Sequence, residues 1–181
     1  AGLRSTMDVG ISKMNVYTVG QTTQGLAELI ISANGQSRGV AVCYDSRNNS
    51  DVFAKTAASV LTAPGIKVYL FDELRPTPML SAGVRYFGCI AGINITASHN
   101  PKEYNGYKAY WEDGAQLAPE HAAVVSNERN SFDPLDVSGL ADFDEAVKDG
   151  LITILDKDFD EKYLSAVLST AINSELVKSV S

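Results

Sequence analysis

Apolar residues recur along this chain in two rhythms. Val19, Thr23, Leu26, Ile30 and Ala33 return at helical spacing, so residues 16 to about 37 read as a helix with Asn34-Gly35 as its stop. Short apolar runs rich in β-branched residues cover 39–44, 66–70 and 89–95, and these read as buried strands. Between them, 51–63 reads as a second helix ended by Pro64-Gly65, and Pro78 can start a third that runs to about residue 87. Residues 106–111 alternate in character and read as a short strand, and 119–130 as a helix. Residues 131–142 are polar and loop-like. Residues 158–178 read as an amphipathic helix with Phe159, Tyr163, Val167 and Ile172 as its inward positions.

Strands alternating with helices predict an α/β fold, a three-layer α/β/α domain with a mainly parallel mixed sheet and right-handed crossovers. The 181 residues fit one domain, with 1–150 carrying the fold and 151–181 forming a C-terminal helical segment that leads to a second domain beyond the chain. The start at Ala1, without Met, adds to the expectation of a fragment.

Composition narrows the function. With 45% hydrophobic and 20% charged residues the chain is an ordinary folded protein. A net charge of −7 and no run of Lys and Arg argue against nucleic acid or an anionic membrane as partner. Cys43 and Cys89 each sit within an apolar run and read as buried, reduced thiols, without CxxC or Cys/His zinc spacing. A signal peptide and an apolar run of membrane-spanning length are both missing, so a cytoplasmic location is the default expectation.

In an open α/β sheet, ligands bind outside the carboxyl ends of the strands. Three polar loops fall there: Asp45-Ser46-Arg47, Arg75-Pro76-Thr77-Pro78 and Thr96-Ala97-Ser98-His99-Asn100-Pro101. The third is the densest cluster of hydroxyl, imidazole and amide groups in the chain. Its residue types are also those that turns prefer for backbone reasons alone. Ser98 is a nucleophile only if a base takes its proton. His99 is its neighbour, and Lys108 on the following strand could return to the same place as base or as a cation facing phosphate. Arg47 and Arg75 are candidate phosphate contacts or surface ion pairs.

The segment Ile95-Thr96-Ala97-Ser98-His99-Asn100-Pro101-Lys102-Glu103-Tyr104-Asn105-Gly106-Tyr107-Lys108 resembles the active-site loop of the α-D-phosphohexomutases, the phosphoglucomutase and phosphomannomutase family. The resemblance extends to Ala1-Gly2-Leu3-Arg4, to residues 19–27, and to the loops around Arg47 and Arg75. The continuation Tyr107 to Gln116 is similar to the branch that holds bacterial phosphoglucomutase-type enzymes and mammalian phosphopentomutase.

The resemblance implies that Ser98 is a phosphoserine that exchanges its phosphoryl group with a sugar phosphate through a bisphosphate, interconverting 1-phosphate and 6-phosphate. It implies Lys108 as general base with His99 as a second candidate, and Arg4 beside the phosphoserine. Thr96, Asn100 and Arg47 are implied as binding residues. It further implies Mg2+, bridging the phosphate of Ser98 and three aspartates of a later Asp-Gly-Asp loop, and glucose 1,6-bisphosphate as activator. Sugar phosphates and the remaining domains of the same polypeptide are the implied partners. The sugar is left open among glucose, mannose and pentose phosphates. No Asp-Gly-Asp occurs in this sequence, so the chain alone is expected to be inactive. Ser5 stands after Arg4 where the family usually has Gly, and Asp8 falls in a usually glycine-rich stretch. A phosphosugar-binding or regulatory module without turnover is the alternative, and a stand-alone phosphatase or kinase-like enzyme a third reading.

Overall fold

The structure, a computed structural model, describes residues 2–136 and 140–173. The elements run β1 (Gly2–Thr6), α1 (Val16–Ser32), β2 (Val40–Tyr44), α2 (Ser50–Thr62), β3 (Val68–Phe71), α3 (Thr77–Tyr86), β4 (Ala91–Ile95), β5 (Tyr104–Trp111), α4 (Pro119–Arg129), α5 (Phe143–Lys148), β6 (Ile152–Leu155) and α6 (Lys157–Ser169). They build one six-stranded sheet in the order β1-β5-β4-β2-β3-β6. β4, β2, β3 and β6 are parallel, while β5 runs antiparallel to β4 and β1 antiparallel to β5. This is the mixed, mainly parallel sheet that the alternating pattern predicts.

The central strands are apolar on both sides because both faces are covered. On one face Val40, Val42, Ile93 and Ile95 join Leu26 and Ile30 of α1, Phe53 and Leu61 of α2, Val125 of α4 and Ala146 of α5 in the larger core. On the other, Ala41, Cys43 and Tyr110 meet Leu80 and Val84 of α3 and Phe159 of α6. Both cysteines are free and buried, as their apolar surroundings imply. Burial pushes each thiol up to about 12.

Several boundaries differ from the sequence expectation for identifiable reasons. α1 stops at Ser32, short of 37: Asn34 takes a left-handed φ of 54°, its N–H reaches the Ile31 carbonyl, and the Gly35 N–H reaches that of Ile30. Residues 2–6, of which 2–4 resemble a family loop, form the edge strand β1, where Leu3 is the only apolar side chain and so leaves little apolar signature. Residues 152–155 form β6, parallel to β3, where the sequence reading gives no strand. α6 ends at Ser169, and residues 170–173 continue without helix; the part of the expected helix over 174–178 lies outside the described residues. Phe159 and Tyr163 face inward as expected. Val167 and Ile172 do not: they are 47% and 93% exposed, because only the first half of α6 packs on α3 and β3. Among the described residues no helix is long and apolar enough to cross a membrane.

Candidate active site

The ends of β2, β3 and β4 deliver the three polar loops to one edge of the sheet, as parallel strands must. Ser98 follows β4 by three residues. Its φ of 59° is left-handed, a conformation that disfavours a Cβ and persists only where the surroundings hold it. Two features hold it. The Ser98 N–H donates to Thr96 Oγ1 at 2.9 Å, closing a tight hydroxyl turn, and the Asn100 N–H donates to the Ala97 carbonyl at 3.2 Å. Thr96 and Ala97 are buried, whereas Ser98 and His99 are exposed. The nucleophile candidate thus stands on an anchored base with its hydroxyl in solvent.

Arg47 is the centre of the loop's support. One terminal nitrogen of its guanidinium donates to the carbonyls of Ser98 (2.8 Å) and Asn100 (2.7 Å). The other donates to the carbonyls of Pro101 (2.9 Å) and Tyr104 (3.0 Å). Its Nε lies 3.3 Å from Asp45 Oδ2. Asp45 Oδ1 in turn accepts from the Arg47 N–H and from the Ser50 hydroxyl. The buried side chain of Asn105 donates to Ser50 Oγ at 2.9 Å and to the Asn48 carbonyl at 3.1 Å. The chain leaving the Ser98 loop is therefore tied to the β2–α2 loop at both ends. Arg47, expected as a phosphate contact, has its whole fork turned onto protein groups, because four carbonyls and one carboxylate occupy it.

The other expected residues separate into two concavities. Ser98 and Asn100, with Asp45, Arg47 and Lys102, line one of about 380 Å3. Lys108, with Gly2, Leu3, Arg4 and Gln116, lines a second of about 290 Å3. Arg4 joins them: it lines the second and donates to Asn100 Oδ1 at 3.2 Å. Of the two candidate bases only His99 touches Ser98, with Nδ1 3.3 Å from its Oγ. Lys108 pairs in register with Asn94 on β4 and Gly2 on β1. Arg4, Lys102 and Lys108 have no ion-pair partner among the described residues, so this edge presents cations to solvent and suits an anionic ligand.

Arg75 behaves differently. It is 9% exposed in its side chain and paired with Asp160 and Asp72, so it secures α6 rather than facing the edge. Ser5 fits where it stands, its hydroxyl donating to the Ser12 carbonyl at 3.0 Å. A more apolar cavity of about 340 Å3 lies between α1 and α2, lined by Val16, Gly20, Val52 and Val60, and contains none of the candidates.

Asp45, Ser50 and Asn105 are not singled out by the sequence reading. The signals for them are that Asp45 directly follows an apolar run in one of the strand-end loops, where a polar side chain that becomes buried must find a partner, and that Asn105 lies in the stretch from Ile95 to Lys108 that carries the family resemblance. Among the described residues no three carboxylate, imidazole or thiolate groups converge to hold a metal ion.

Comparison with known proteins agrees with this arrangement. The family described as "Phosphoglucomutase/phosphomannomutase, alpha/beta/alpha domain I" matches residues 1–133. A phosphoglucomutase from Staphylococcus saprophyticus is 39% identical over 170 residues, 93% of this chain and 30% of that protein. A phosphopentomutase from Mus musculus is 42% identical over 134 residues, 70% of this chain and 22% of that protein. A crystal structure from Thermus thermophilus, described as a phosphomannomutase, superposes with a TM-score of 0.66 at 27% identity, over 78% of this chain and 30% of that one. The chain thus spans less than a third of the length of these relatives.

Proposed function

The chain belongs to the phosphoglucomutase/phosphomannomutase family as its alpha/beta/alpha domain I, and from that premise we propose that Ser98 is the residue that carries and transfers the phosphoryl group. One observation carries this reading: Ser98 projects into solvent from a backbone held in a strained, anchored conformation, near Lys102 and Arg4, which have no ion-pair partner among the described residues. A nucleophile held this way needs little reorganisation to meet an incoming phosphate, and phosphoryl transfer asks chiefly for positioning and charge neutralisation.

In the proposed step the bond from Ser98 Oγ to phosphorus breaks as a sugar hydroxyl oxygen bonds to phosphorus. The hydroxyl proton goes to a base while the departing Ser98 Oγ takes up a proton. In the return step the other sugar oxygen–phosphorus bond breaks, that oxygen takes up a proton, and Ser98 Oγ gives up its proton as it bonds to phosphorus. His99 is within reach of Oγ, and Lys108, linked to the site through Arg4 and Asn100, is the second candidate. Arg4 and Lys102 face the transferred charge, with Asn100 as a neutral donor. Thr96 acts through the turn it closes beneath Ser98. The overall reaction is the interconversion of a hexose 1-phosphate and 6-phosphate, in the cytoplasm, with glucose 1,6-bisphosphate as activator.

Magnesium chemistry would neutralise phosphoryl charge, and the phosphate on Ser98 is the ligand that the described residues would offer it. The remaining ligands would come from outside these 181 residues, as would the groups that select the sugar. The chain alone is accordingly proposed to be inactive, and to work with the remaining domains of its polypeptide.

The test is phosphoryl uptake. The complete enzyme is incubated with phosphate-labelled glucose 1,6-bisphosphate and magnesium, and the label is located by peptide mass spectrometry. Label on Ser98 is the expected result. A folded, initially unphosphorylated protein that takes none would overturn this reading in favour of a phosphosugar-binding module.

A further inference from the structure

A guanidinium at the mouth of a phosphate site is ordinarily expected to hold phosphate, and Arg47 sits at that mouth. Its hydrogen bonds say otherwise. Both terminal nitrogens are engaged by main-chain carbonyls of residues 98, 100, 101 and 104, at 2.7 to 3.0 Å, and Nε faces Asp45. The four carbonyls come from seven consecutive residues that make no regular structure until β5 begins. A planar fork can gather four acceptors at once; an ammonium on a flexible stem cannot reproduce that geometry.

We propose that Arg47 is a positioning residue: it clamps the loop from Ser98 to Tyr104 and so fixes where the Ser98 hydroxyl points, while making no contact with the phosphate itself. The proposal deepens the reading of Ser98 as phosphoryl carrier and rests on it. The Ser98 carbonyl is the first acceptor, so the Arg47 bond fixes the peptide plane that follows the strained φ of Ser98. The Asp45 carboxylate lies 3.3 Å from Nε of the guanidinium and is itself held by the Ser50 hydroxyl. Asn105 binds the same hydroxyl from the far end of the loop. The ring Asp45, Arg47, loop, Asn105, Ser50 closes on itself, so neither loop can shift without breaking charged hydrogen bonds, the stronger kind.

A clamp and a phosphate contact differ in what their loss changes. Misplacing a nucleophile by about an ångström costs on the order of 100-fold in rate without touching ground-state affinity. Losing a phosphate contact weakens binding.

The experiment compares wild type and Arg47→Lys in the complete enzyme, measuring the rate of label uptake by Ser98, the affinity for glucose 1-phosphate and amide exchange over residues 98–104. The expected result is a rate lower by roughly 30- to 100-fold. Affinity should stay within about twofold. Exchange should be faster in the loop alone, with partial rescue of Arg47→Ala by added methylguanidinium. An affinity loss as large as the rate loss overturns the proposal, because Arg47 would then hold phosphate. So does an unchanged rate, or an unchanged loop. If Arg47→Lys does not fold, Asp45→Asn, which releases only the Nε side, should show the same split at roughly 3- to 10-fold. A wild type that takes no label sinks the reading of Ser98, while the amide exchange of the variant still decides the clamp.

Discussion

The guanidinium of Arg75 and the carboxylate of Asp160, 85 residues apart in sequence, meet in a forked pair: Nε lies 2.9 Å from both carboxylate oxygens and the adjacent terminal nitrogen 2.8 Å from one. The pair fastens α6 to the loop after β3. The Asp160 carboxylate also holds the Arg75 charge above its usual range. Asp160→Ala removes one partner while Asp72 remains, so the expected cost is about 1–2 kcal/mol. Urea unfolding of wild type and variant checks it, and amide exchange should rise first in α6.

Ser98 combines a chemical and a backbone role that substitutions can separate. Ser98→Ala and Ser98→Gly should both abolish label uptake. Only alanine retains a Cβ at φ 59°, so Ser98→Gly should be the more stable of the two by about 0.5–1 kcal/mol. Equal unfolding midpoints would mean that the left-handed conformation is not held in solution.

Lys108→Ala should lower kcat by roughly 100- to 10,000-fold if Lys108 moves the proton, with KM changing far less. Steady-state kinetics of the complete enzyme decide it. A rise in KM at constant kcat would instead make Lys108 a binding cation of the Arg4 concavity.

Gly106 is where β5 passes closest to the root of the Ser98 loop. A Cβ there would lie 2.6 Å from the Thr96 carbonyl oxygen and 2.9 Å from that of Leu3, both backbone atoms that cannot swing away. Gly106→Ala should cost about 2–4 kcal/mol in thermal or denaturant unfolding and loosen β1.

Both buried thiols keep their protons to about pH 12, against an ordinary value of 9.0. The folded chain therefore binds protons that the unfolded chain loses. This contribution is fully present below pH 9 and disappears between 9 and about 12, by at most roughly 4 kcal/mol per thiol. Urea midpoints should fall over that range, and less steeply in a Cys43→Ala, Cys89→Ala double variant. Some slope should persist in it, because burial also raises the Tyr107 hydroxyl. Native protein should resist iodoacetamide until unfolded.

The central strands were legible in sequence because each is buried on both sides, and an apolar run has few other uses. The helices on them were legible through their 3.6-residue spacing. Thr96 through Lys108 carried the family resemblance, and with it Ser98, as a continuous stretch of chain. The edge strands β1 and β6 and the short helix α5 left little trace: an edge strand is half solvated, and a six-residue helix is too short to show a stripe. The second half of the expected C-terminal helix misled in the opposite direction, since apolar positions such as Val167 and Ile172 read the same whether or not something lies against them.

What the sequence determined by itself is local: which segments are strand or helix, and which loop holds hydroxyl, imidazole and amide groups together. What only the tertiary structure decided is the use of each side chain whose partners are distant in sequence. Arg47 and Arg75 look alike in the chain, each following a strand in a polar loop. One closes on four carbonyls more than fifty residues away, and the other on a carboxylate 85 residues away. A charged side chain on the edge of a fold takes its role from whichever acceptors folding brings within about 3 Å, and no pattern of neighbours along the chain contains that distance.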